Sequence, residues 1–159
     1  MNSASELKYP VRFDEKERKV CLSGEAYFEV TKDSNRPFYV VTEEMQIRVY
    51  GTEFNVNTHQ PGKIHTVLVG GEVGIKKRGA VEEVTMKPGQ LASFDREAGT
   101  FEVKEVDVRQ YVVWKDGYFT FENERTASGA GQYPGIAGTF GTTGHGAGKR
   151  GCAPYGRLY

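Results

Sequence analysis

The sequence predicts an all-β chain folded as an antiparallel β-sandwich of the jelly-roll kind, and three observations carry that prediction. Between residues 20 and 57 apolar side chains recur at alternate positions: Val20 and Leu22, Phe28 and Val30, Phe38 and Val40, Met45, Ile47 and Val49, Phe54 and Val56. A two-residue period is the mark of strands with one buried face. Breakers at Ser23-Gly24, Asp33-Ser34-Asn35-Arg36-Pro37 and Gly51-Thr52 hold each run to about eight residues or fewer, as short antiparallel strands require. The same rhythm of runs and turns then continues to Val103, which is the spacing of a sandwich rather than of alternating strands and helices.

Taken in order, Leu7, Tyr9, Val11 and Phe13 alternate and predict a strand, with Pro10 placing it at a sheet edge or at its own end because proline has no N–H to give a ladder. The mixed charge run Asp14 to Lys19 reads as a solvated hairpin turn. After the central block, Asn57 to Lys63 is turn-like and His65 to Val69 resumes the strand pattern up to Gly70-Gly71. Val67-Leu68-Val69-Gly70-Gly71-Glu72-Val73 echoes Val20-Cys21-Leu22-Ser23-Gly24-Glu25-Ala26 at an offset of 47 residues, which suggests two similar corners of one sandwich. Val73-Ile75, Val81, Val84-Met86, Leu91-Phe94 and Phe101-Val103 alternate again, separated by Lys76 to Gly79, Pro88-Gly89 and Asp95 to Gly99. Val106, Val108 and Tyr111 to Trp114 break the alternation and close the run with a dense apolar patch before Asp116-Gly117; a Tyr118–Phe121 strand follows.

Length and charge bound the rest. The 159 residues make room for one domain, burying roughly two-thirds of its unfolded surface. No apolar run approaches the length of a membrane span, and the N-terminus lacks the basic-then-apolar pattern of a secretory signal. Net charge is zero, but Lys149, Arg150 and Arg157 are the only charged residues after Arg125 and leave residues 1–125 at −3. Neither part has the clustered basic face of a nucleic-acid binder. From Thr126 on, ten of 34 residues are glycine and apolar residues appear singly, so this stretch cannot offset its chain entropy by burial and is expected to be disordered. The predicted division is a β domain over 1–124 and a Gly-rich tail over 125–159, with a reading-frame shift near codon 126 as one explanation of the change.

The motifs in the strands resemble a known family. Gly24-Glu25-Ala26-Tyr27-Phe28-Glu29-Val30, Arg36-Pro37-Phe38-Tyr39-Val40 and Tyr50-Gly51-Thr52-Glu53-Phe54-Asn55-Val56 resemble the GEAYFEV, RPF-V and GT-FNV signatures of the FecR family, in that family's order. The resemblance continues through Leu68 to Val73, Lys87-Pro88-Gly89-Gln90 and Trp114 to Glu124, and then stops. It marks Gly24, Glu25, Phe28, Pro37, Phe38, Gly51, Thr52, Phe54, Gly71, Pro88, Gly89, Trp114 and Gly117 as structural motif positions. Met1 to Pro10 is similar to a segment that in the family follows earlier strands, which implies that the first strands of the sandwich are missing here. The resemblance implies the periplasmic module of a membrane-anchored regulator that relays the occupancy of a TonB-dependent outer-membrane receptor, in iron or other nutrient uptake, to an extracytoplasmic-function sigma factor. It further implies that this stretch alone does not signal, and that open strand edges favour self-association.

Catalytic signals are poor. His59 and His65 stand six apart with no third ligand beside them, a spacing that fits neither a helical pair nor a zinc finger. Glu25, Glu29 and Glu72 lie at strand corners, where carboxylates accept backbone N–H bonds or face water. Gly144 to Arg150 lacks the first glycine and the Ser or Thr of a phosphate-binding loop, and no nucleophile set is apparent. We therefore expect no catalysis, no cofactor and no metal. Cys21 reads as a small core residue, with a redox role as the alternative. Trp114 reads as a core or rim anchor, with ligand stacking as the alternative. A second functional reading, from another class, is a jelly-roll module binding glycans through Trp114, Tyr111, Tyr118 and Phe119.

Overall fold

In a computed structural model of the chain, which describes residues 1–116 and 156–158, the alternating runs become strands of two sheets packed face to face. The strands are β1 (Glu6–Tyr9), β2 (Arg18–Ser23), β3 (Glu25–Glu29), β4 (Phe38–Val41), β5 (Met45–Val49), β6 (Glu53–Asn57), β7 (Lys63–Gly70), β8 (Val73–Lys77), β9 (Val84–Met86), β10 (Gln90–Asp95), β11 (Phe101–Glu105) and β12 (Gly156–Leu158). One sheet runs β12-β1-β2-β4-β5-β8-β9 and the other β11-β10-β7-β6-β3. Consecutive strand pairs alternate between them: β1–β2, β4–β5 and β8–β9 lie in the first, β6–β7 and β10–β11 in the second. β3 makes the crossing by itself, so β2 and β4 meet in the same sheet as its one parallel pair, with Arg18 against Phe38 and Val20 against Val40.

The core is what the two-residue period promises. Val20, Leu22, Val40, Met45, Ile47, Val49, Val73 and Ile75 from one sheet face Ala26, Phe28, Phe54, Val56, Ile64, Leu68, Ala92 and Phe94 from the other. Phe28 stacks on Phe54 at 5.1 Å and tilts toward Phe38 at 6.0 Å, while Phe13 meets the edge of Phe38 at 6.3 Å. Phe28, Phe38 and Phe54 of the three sequence motifs thus bridge the two layers.

The structure differs from the sequence reading at several places. β1 is an interior strand between β12 and β2 rather than an edge, and Pro10 marks its end, the other of the two expected places, since the strand stops at Tyr9. Val11, expected to continue the alternation, is 95% exposed, and Val81 is likewise 95% exposed outside any strand. The apolar patch after Val106 is helical: α1 (Arg109–Val112) runs into a 3-10 turn, Val113–Asp116. Its Val112 is buried. In the tail, expected to be irregular throughout, Gly156–Leu158 pairs antiparallel with β1. The Tyr118–Phe121 strand lies outside the described residues.

Candidate functional site: two glycine corners between the sheets

The echo between the two strand–glycine–strand units has a structural meaning, because each marks a place where the chain passes from one sheet to the other. Gly24 joins β2 to β3 with φ of +105°, and Gly71 joins β7 to β8 with φ of +92°. Side-chain-bearing residues rarely adopt such angles. At Gly71 a Cβ would lie 2.7 Å from the Gly51 carbonyl oxygen, and at Gly24 it would lie 2.5 Å from Ser5 Oγ and 2.6 Å from Ser5 Cα.

Around Gly24 a polar network fixes the corner. The Gly24 N–H donates to Thr58 Oγ1 at 2.7 Å, and the Thr58 N–H returns a bond to the Gly24 carbonyl at 2.9 Å. The Glu25 N–H donates to Ser5 Oγ at 2.8 Å. The Glu25 side chain is 7% exposed and accepts from Asn2 Nδ2 at 2.6 Å and from Asn55 Nδ2 at 2.8 Å. A buried carboxylate is expensive unless it is hydrogen-bonded, and side-chain amides serve Glu25 where backbone N–H groups or water were expected. Asn2, Ser5, Asn55 and Thr58 are the partners that sequence reasoning missed; their signal was only that small polar residues flank the glycine in space, which no spacing reveals.

The second corner gathers Gly51, Thr52, Gly71 and Glu72. Thr52 Oγ1 donates to the Glu72 carbonyl at 2.9 Å, and Val30 and Thr52 exchange backbone bonds at 3.0 and 3.2 Å. Gly51 does not have the positive φ expected of a turn glycine; it is required for a different reason, since a Cβ there would lie 2.6 Å from Lys32 Cα. A cleft of about 530 Å³ lies beside this corner, lined by Glu29, Thr31, Lys32 and Glu53 among others. Glu29 and Glu53 are exposed and directly opposite one another across β3 and β6. A smaller cleft of about 360 Å³ lies beside Gly24, where His59, Glu44 and Arg96 meet.

Of the remaining motif residues, Gly89, Pro37 and Trp114 each take part in a hydrogen bond within the fold. Gly89 turns after Pro88 with φ of +87° and links Leu68 to Val106 by backbone bonds of 2.9 Å. Pro37 accepts the Arg18 N–H at 2.8 Å where β2 and β4 begin to pair. The Trp114 indole N–H donates to the Tyr111 carbonyl at 3.1 Å, and its ring is half-buried. Gly117 lies outside the described residues, as do Tyr118 and Phe119. Cys21, read as a plain core residue, is buried but disulfide-bonded.

The arrangement offers binding surfaces and little for bond chemistry. His59 lies on a loop with Nε2 3.3 Å from Ser5 Oγ, whereas His65 is half-buried on β7. Burial, then Lys63 and Lys104, hold the His65 imidazole below its ordinary pKa. Glu25, Glu29 and Glu72 do not converge on one another, and among the described residues no group of three or more His, Cys, Asp or Glu is placed to hold a metal. No helix among the described residues is long and apolar enough to cross a membrane.

No curated protein matches the chain. Among solved structures, a candidate anti-sigma factor from Parabacteroides distasonis ATCC 8503, solved twice, has the same fold with a TM-score of 0.68 at 24% sequence identity. The superposition covers 74% of this chain and 55% of that one, so the present chain spans just over half the length of that protein. Residues 1–74 match the model of the FecR protein family, a stretch that runs from β1 to the start of β8 and holds both glycine corners. Over that stretch the chain is similar to the FecR protein family.

Proposed function

We propose that this domain is the periplasmic relay module of a sigma-factor regulator, coupling a TonB-dependent outer-membrane receptor to an extracytoplasmic-function sigma factor. The observation that carries the reading is the family match over residues 1–74. The likeness in fold to a candidate anti-sigma factor agrees with it. The module works by binding and by transmitting a conformational or mechanical change, with no bond made or broken. Its two rigid corners suit that work, because glycines that admit no Cβ and buried polar bonds hold the sheets in one relative placement. The test is capture of a receptor signalling domain by the full-length regulator, together with a sigma-dependent reporter in cells. A regulator that captures no signalling domain, and whose reporter is indifferent to deletion of residues 1–116, would sink the reading. The glycan-binding alternative has no observation of its own in the described residues, where Trp114 is engaged with Tyr111; a glycan screen decides it.

A further inference from the structure

β11 is an outer strand of its sheet, and among the described residues it is both five residues long and open along its length. Of the other edges, β9 and β12 have three residues each, and β3 is closed at its start by Asn2 and Ser5, which bond to Glu25. The pairing of β10 with β11 fixes which groups of β11 point outward. Asp95 bonds to Thr100 and Val106 to Gly89, so by the alternation of an antiparallel ladder Glu102 and Lys104 turn their backbone groups toward β10, and Phe101, Val103 and Glu105 turn theirs away. Those outward groups have no hydrogen-bond partner among the described residues, and Val103 is 37% exposed. An open edge of this kind is a template for another strand.

The sequence of the edge says which strand. If a second β11 pairs antiparallel about a two-fold axis at Val103, then Val103 meets Val103, Phe101 meets Glu105, and every outward N–H and C=O finds a partner. Glu102 then stands directly opposite Lys104 of the second copy, twice, in the closely spaced non-hydrogen-bonded positions where side chains interact most. Sliding the pair by one step either way puts Glu102 opposite Glu102 or Lys104 opposite Lys104, like charges face to face. Self-complementarity about one axis is what a closed dimer needs. We propose that β11 is a homodimerisation edge, with Phe101–Glu105 of two copies joined antiparallel about Val103 so that the five-stranded sheets become continuous.

The proposal is independent of what the domain regulates. Sedimentation velocity over a concentration series of the full chain tests it, and the unsubstituted protein is expected to shift from monomer to dimer as concentration rises. Glu102→Lys alone and Lys104→Glu alone each set like charges opposite one another and are expected to weaken association at least about tenfold. An equimolar mixture of the two variants, or one chain carrying both substitutions, sets opposite charges facing again and should regain the dimer. Val103→Pro removes an outward N–H without touching the β10 ladder, so it should abolish the dimer while leaving the thermal melt of the monomer in place. A protein that stays monomeric at every concentration overturns the proposal. So do charge variants that associate as the parent does, or a mixture that fails to restore association.

Discussion

The Gly24 corner allows a stability prediction in which two separate costs can be told apart. Replacing Gly24 by alanine forces an L-residue into φ of +105°, which costs about 1–3 kcal/mol. It also drives the new Cβ into Ser5, whose Oγ and Cα lie at 2.5 and 2.6 Å; the Cα belongs to the backbone and cannot swing aside by a side-chain rotation. If Ser5 retreats, the Glu25 N–H loses its acceptor and a part-buried donor is left unpaired, at about 1–3 kcal/mol more. The expected total is about 2–6 kcal/mol, a large share of the 5–15 typical of a domain. Gly62 supplies the control, because its φ is +74° and nothing lies within 4 Å of the Cβ position; Gly62→Ala should show the backbone cost alone, about 1–2 kcal/mol. Urea unfolding at equal m-values reads both. If Gly24→Ala and Gly62→Ala lower the midpoint equally, the close approach of Ser5 contributes nothing and the reasoning about the corner is wrong.

Phe54→Ala should cost about 3–5 kcal/mol in the same assay, because the ring is fully buried and stacked on Phe28; a loss below about 1 kcal/mol would refute its place at the centre of the core. Gly51→Val should destabilise despite the ordinary φ, through collision with Lys32 Cα, and a melt within a degree of the parent would contradict this. Gly74→Ala meets only the far end of the flexible Glu83 side chain, in a part-buried pair with Arg48, so the change is expected to stay within about 1 kcal/mol. His65 is held below its usual 6.5 by burial first and then by Lys63 and Lys104. The unfolded chain therefore takes up this proton before the folded one does, so stability is whole above about 6.5 and falls as the pH is lowered below it. His65→Gln should flatten that slope in urea melts at stepped pH, and an unchanged slope would assign it to other groups.

The strands were legible because Ile47, Phe54 and Val73 sit in an unbroken two-residue pattern that only burial on one face explains. The corners were legible in part: the repeated Gly-Glu named the positions, but the reason for Gly51 is a neighbour 19 residues away in the chain, Lys32, and no local rule contains it. The same holds for Glu25, whose partners Asn2 and Asn55 come from opposite sides in sequence. Val11 and Val81 misled because a hydrophobic residue in step with a pattern gives no sign that the pattern has ended. The helical turn at Arg109–Val112 was hidden by β-branched valines on both sides, and its form follows from packing rather than from local preference.

The alternation of strand pairs between the two layers has a consequence for how the domain comes into being. Since β4–β5 and β8–β9 belong to one layer and β6–β7 to the other, neither layer is encoded by a continuous stretch of chain. Each hairpin can form early and locally, within microseconds, yet none has a hydrophobic surface to rest on until its neighbours in sequence have taken up the opposite side. The parallel contact of β2 with β4 waits longer still, since β3 must already have crossed. Assembly of this kind is dominated by loop closures between distant segments and belongs to the millisecond-to-second range of β-sandwiches. The same weave means that β1 is tied through β2 and β4 to strands drawn from distant parts of the chain, so a load on it is shared by segments far apart in sequence.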